Sequence, residues 1–82
     1  MLTEYLQAAM RHAHYERLEE DQAYYGEIPE CRGVYAHAET LEECREELAG
    51  TLEDWVLFRI HQHLGVPQIE GVELTVKKEE AA

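Results

Sequence analysis

Five histidines, two cysteines and eighteen acidic side chains are the chemically capable groups of this 82-residue chain. Their spacing decides which of them can act together. His61 and His63 lie in a helical stretch, where two residues of separation turn side chains about 200° apart, so they cannot share a metal as an i, i+4 pair does. His12 and His14 would point the same way on a strand, yet no four ligands have the spacing of a closed metal site. No metal and no cofactor are expected. Cys44 falls on an apolar helix stripe and reads as a small buried hydrophobe. Cys31 lies in a turn, with no histidine placed by sequence to activate it as a nucleophile. Glu43, Glu46, Glu47, Glu53 and Asp54 fall on the outer face of the same helix, as on a solvated surface whose early glutamates the helix dipole favours. The chain is expected not to be an enzyme.

The element that positions most of these groups runs over residues 40–64 (TLEECREELAGTLEDWVLFRIHQHL). Thr40 and Glu43 form a capping box: the threonine oxygen accepts from the Glu43 N–H, and the glutamate reaches back to the Thr40 N–H. Leu41, Cys44, Leu48, Leu52, Trp55 and Val56 then recur at three- and four-residue spacing, which predicts one buried stripe. Gly65 and Pro67 are expected to end the helix, Gly by accepting a left-handed conformation and Pro by being unable to continue. Leu57, Phe58 and Ile60 fall outside the stripe, so one sheet cannot bury them all. Gly50 lies one heptad before Leu57, and an interior helical glycine costs about 1 kcal/mol relative to alanine unless a close approach compensates. Gly50, Leu57, Phe58 and Ile60 therefore predict a two-fold helix contact and a homodimer or dimer of dimers. The alternative is that an N-terminal helix covers Phe58 and Ile60 within the subunit.

That N-terminal helix is predicted over residues 2–12, where Leu2, Tyr5, Leu6, Ala9 and Met10 share a face. Three strands follow within residues 14–39. HYERLEE is the weakest; in AYYGEIP, Tyr24, Gly26 and Ile28 share one face and Ala23, Tyr25 and Glu27 the other. After a turn from Pro29 to Gly33, Val34, Ala36 and Ala38 alternate with Tyr35, His37 and Glu39. The small residues Gly26, Ala36 and Ala38 suit the face beneath the long helix. A final strand is predicted over residues 72–76, and a frayed tail over 77–82. The expected fold is α+β in one domain spanning 1–82: N-terminal helix, three-stranded antiparallel sheet, long helix packed on one face, final strand.

A domain of this size buries only roughly 60–65% of the surface that its unfolded chain exposes, which favours self-association. The net charge of -11, from 18 acidic against 7 basic side chains, argues against a nucleic-acid surface and points to a basic protein as partner. The charge is spread, with seven acidic against two basic residues over 13–39 and six against two over 40–64. With no signal-peptide pattern and two cysteines, a cytoplasmic location is expected. No apolar run approaches the roughly 20 residues of a membrane helix.

The stretch YYGEIPECRGVYAHAETLEECREELAGTLEDW resembles the HicB family, antitoxins of bacterial toxin–antitoxin systems. Tyr24, Glu27, Ile28, Pro29, Gly33, Val34, Thr40, Leu41, Glu42, Glu43, Leu48 and Trp55 carry the resemblance, as an aromatic strand, an acidic-aliphatic-Pro turn, a Gly-Val strand and a Thr-Leu-Glu-Glu helix start. It implies a truncated ribonuclease H-like sheet and a protein that blocks a small basic RNA-cleaving toxin of the HicA kind. Two-metal nucleic-acid cleavage needs converging carboxylates, whereas here they lie on an outer helix face. No basic arm or extra helix follows the final strand, so sequence-specific DNA binding by this chain alone is not expected.

Overall fold

The computed structural model describes residues 2–72. The elements are α1 (Leu2–Arg11), β1 (His14–Leu18), β2 (Ala23–Glu27), β3 (Tyr35–Ala38) and α2 (Leu41–His61). This is the expected α+β order. The strands form one antiparallel sheet in the order β1-β2-β3, and α2 lies against β2 and β3.

Register explains which residues meet the helix. Tyr15 pairs with Gly26, and Gly26 with Ala36, so one row crosses the sheet beneath α2. A Cβ on Gly26 would sit 2.9 Å from the Tyr15 ring and 3.2 Å from Cys44 Sγ. Glycine is needed here because ring and thiol both close over the backbone. The Cys44 thiol in turn donates to the Ala36 carbonyl at 3.7 Å, a weak bond that satisfies a buried sulfur.

The α2 stripe buries Cys44, Leu48, Leu52 and Val56 completely. Two expected members differ. Leu41 is 47% exposed, because burial along the helix begins only at Cys44, one turn after the cap. Trp55 is half-buried at the margin of the core, and the Arg59 guanidinium lies 5.1 Å from its ring centroid, a cation–π contact. At the helix start, Thr40 Oγ1 accepts from the Glu43 N–H at 3.0 Å. Among the described residues the return bond from the Glu43 carboxylate is not formed.

The helix end departs from the sequence expectation. The left-handed residue is His63, at φ 61, and Gly65 has no positive φ. His63 N–H donates to the Ile60 carbonyl at 3.0 Å and Leu64 N–H to the Arg59 carbonyl at 2.7 Å. That pair of bonds is a Schellman motif with His63 in the place glycine usually takes. Arg59 Nε then donates to the Gly65 carbonyl at 2.6 Å, tying the exit loop to the helix that precedes it. The position of the motif follows from where the helix stops making bonds, two residues before the glycine.

Packed against α2, α1 buries Tyr5, Ala8 and Ala9, with Leu2, Leu6 and Met10 at the core margin. The Tyr5 hydroxyl donates to the Pro67 carbonyl, and burial raises its pKa well above the ordinary phenol value. Ile69 is 1% exposed, a core residue that periodicity gave no reason to expect. Ile69 and Val72 form an isolated antiparallel bridge around Glu70 and Gly71, both at positive φ, the arrangement of a type I′ turn. Of the expected strand over 72–76 only Val72 is described; its other residues and the tail over 77–82 lie outside the described residues.

Candidate functional site

The connection from β2 to β3 is two β-turns in succession. Cys31 N–H donates to the Ile28 carbonyl at 2.9 Å, and Val34 N–H to the Cys31 carbonyl at 3.1 Å. Pro29 occupies the second position of the first turn, where its fixed φ suits the geometry, and Gly33, at φ 94, the third position of the second. Cys31 is the shared corner. Its side chain is 1% exposed, between Ile28 at 1% and Val34 at 2%, and burial pushes its thiol up to about 11. Cys44 is also raised by burial. Both cysteines are free thiols, protonated near neutral pH and thus poor nucleophiles.

Outside this buried corner lies a shallow groove of about 390 Å³, lined by Tyr25, Glu27, Pro29, Arg32, Gly33 and Tyr35 among others. Tyr25 and Tyr35 stack diagonally across the strands, with centroids 6.3 Å apart and planes at 26°. Both belong to the sheet face away from α2, and Tyr35 is 60% exposed. Tyr25 donates to Glu27 Oε1 at 3.2 Å, and partial loss of water and the carboxylate raise its pKa. An aromatic shelf with a carboxylate and a guanidinium beside it can take a flat or cationic side chain of a partner. The alternation of Tyr25 and Tyr35 against the small residues already placed them on the outer face; their stacking depends on the strand register, which composition does not reveal.

The structure divides the twelve residues of the family pattern between two tasks. Ile28, Val34 and Leu48 are in the core, with Tyr24 and Trp55 at its margin, and Gly33 and Thr40 shape a turn and a helix start. Glu27, Pro29, Leu41, Glu42 and Glu43 are at the surface. Glu27 and Pro29 lie together in the groove, whereas Leu41, Glu42 and Glu43 sit on the first turn of α2. A second acidic groove, about 460 Å³ and lined by Glu39, Glu43, Glu46 and Glu47 with Ala38, follows that turn.

On the outer side of α2, Leu57 is 46% and Phe58 58% exposed, and a Cβ on Gly50 would meet no atom of the described residues within 4 Å. Ile60 separates from this group, packing against the core. Leu64 joins the exposed set at 46%. Ile60 is thus covered within the subunit, whereas Phe58 is left open. His12 does not pair with His14 along a strand: it follows α1, where its two ring nitrogens contact Glu30 and Glu70 on opposite sides. The two carboxylates lie on either side of the ring, and among the described residues no three such side chains are placed to hold a metal ion.

No helix among the described residues is long and apolar enough to cross a membrane. The chain is similar to TTHA0281 from Thermus thermophilus, known from a crystal structure, at 39% identity over 93% of this chain and 94% of that one, with a TM-score of 0.87. No curated protein matches. A family model described as UPF0150-like matches residues 4–67, a span that runs from the first turn of α1 to the Pro67 carbonyl that receives the Tyr5 hydroxyl. By this match and that likeness, which take in both helices and the whole sheet, the chain belongs to the UPF0150-like family.

Proposed function

We propose that this chain is a HicB-like antitoxin that binds and neutralises a small basic HicA-like RNA-cleaving toxin in the cytoplasm, without catalysing a reaction of its own. The observation that carries the reading is the groove beside the β2–β3 connection. There Glu27 and Pro29, surface members of the family pattern, lie with the stacked Tyr25 and Tyr35. A stacked aromatic pair with one exposed and one half-buried ring is typical of interface anchors. The net charge of -11 would speed encounter with a basic RNA-binding protein, even though peripheral charges add little affinity. The test is co-expression with the product of a small basic reading frame adjoining the gene. Growth restored by this chain supports the reading; persistent toxicity beside soluble antitoxin rejects it. By the same reading the chain alone gives no saturable gel shift on its own promoter.

A second reading, a stand-alone oligomeric scaffold that keeps the fold without a toxin, is favoured by one observation. Leu57 and Phe58 are exposed beside the open surface of Gly50, a helix face suited to a second copy of the chain. Under this reading the protein is a homodimer or dimer of dimers and no adjoining reading frame encodes a toxin that it neutralises.

A further inference from the structure

Three segments distant in sequence meet at His12. Its Nδ1 lies 2.6 Å from Glu30 Oε2, in the β2–β3 connection, and its Nε2 lies 3.1 Å from Glu70 Oε2, in the turn that follows α2. Arg11, the last residue of α1, holds Glu70 from the other side through Nη2 at 2.7 Å and Nε at 3.1 and 3.2 Å. An imidazole can donate to two carboxylates only as imidazolium, because the neutral ring has one N–H and one lone pair. Removing the proton would turn one of these contacts into two lone pairs facing each other. It would also leave Glu30 and Glu70 on either side of a neutral ring, with Arg11 bonded to Glu70. The geometry as it stands is therefore that of a protonated His12.

We propose that His12 is a proton-operated latch that holds the Ile69–Val72 turn against the end of α1 and the β2–β3 connection. Closed, it bonds both carboxylates and keeps Ile69 in the core beside the Tyr5–Pro67 bond. On loss of the proton, the shorter contact to Glu30 keeps the remaining N–H, and the bond to Glu70 is lost. Among the described residues, Arg11 and apolar packing then hold the turn. Among the described residues, the charged and titratable groups facing the ring are Arg11 on α1, Glu30 in the connection and Glu70 in the turn, with His14 on β1 acting on Glu30. The titrations agree in direction. The bond to Glu30, more than any other cause, raises the His12 pKa above 6.5, while His12 lowers that of Glu30 and Arg11 that of Glu70. A raised histidine pKa contributes stability that is fully present below about 6.5 and lost as pH rises through the folded value. The lowered carboxylates contribute stability that is lost as pH falls through theirs. The latch is closed between these limits and opens on the alkaline side.

The test is an NMR titration from pH 5 to 9 of the His12 ring and of the Val72 amide, whose N–H donates to the Ile69 carbonyl at 2.8 Å. In the wild type both should titrate together, with a midpoint above 6.5. His12→Gln should abolish the Val72 response. Glu30→Gln is the more pointed variant: the introduced amide can donate to a neutral ring, which can then give its N–H to Glu70. The turn should stay closed at high pH with the Val72 response lost. A Val72 amide that does not titrate in the wild type, or that titrates unchanged in either variant, overturns the proposal. So does a His12 midpoint at or below 6.5.

Discussion

The β2–β3 connection and the outer surface of α2 both draw the eye in the sequence, but they differ in what holds each residue type in place. In the connection, Pro29, Cys31 and Gly33 each answer a local demand: a fixed φ, a buried corner and a positive φ. On the outer surface, Gly50 faces open space and Leu57 and Phe58 lie exposed, and nothing among the described residues demands them. The contrast separates residues that the fold accounts for from residues that its described part does not. It also isolates Glu27 and the Tyr25–Tyr35 pair, which stand on a rigid support that does not need their particular chemistry.

Substitutions can break or sharpen this contrast. The largest effect is expected from Ile28→Ala, which removes a fully buried side chain at the base of the connection and should cost about 2–5 kcal/mol in urea unfolding. Gly33→Ala should cost about 1–2 kcal/mol, from the positive φ alone, since no neighbouring atom lies within 4 Å of the added Cβ. A stability change near zero would mean that the connection relaxes freely and that the contrast is overstated. At the helix end, His63→Gly should raise the unfolding midpoint, by about 1 kcal/mol or less of stability, because glycine adopts the left-handed conformation without the Cβ penalty. The smallest effect on folding belongs to the outer surface. Leu57→Glu should change the unfolding of the monomer by no more than about 0.5 kcal/mol yet reduce the sedimenting mass of a self-associated wild type. A monomeric wild type, or a variant that assembles normally, removes this surface as a contact between copies.

Much of this was legible from spacing. The four residues buried along α2, the strand positions and the small residues beneath the helix follow from periods of 3.6 and 2, since burial on one face is what imposes those periods. Leu41 shows the limit: periodicity says which side a residue faces but not whether anything lies there, and burial starts only at Cys44. Gly65 shows another. A glycine near a helix end marks where a left-handed residue is cheap, whereas hydrogen bonding placed it at His63. The bond from Tyr5 to Pro67 and the charges around His12 join segments up to 62 residues apart; no local pattern encodes such meetings. The site was legible in part, as a set of pattern residues, but the stacking of Tyr25 on Tyr35 beside Glu27 needed the strand register.

The most direct test of the functional reading is RNA cleavage by the purified product of the adjoining small basic reading frame, measured while this chain is titrated in. Wild type should suppress cleavage near a stoichiometric ratio, and a double substitution of Tyr25→Ala and Tyr35→Ala, in a protein that still unfolds cooperatively, should raise the amount required at least tenfold. Cleavage undiminished by an excess of folded wild-type protein would contradict the account.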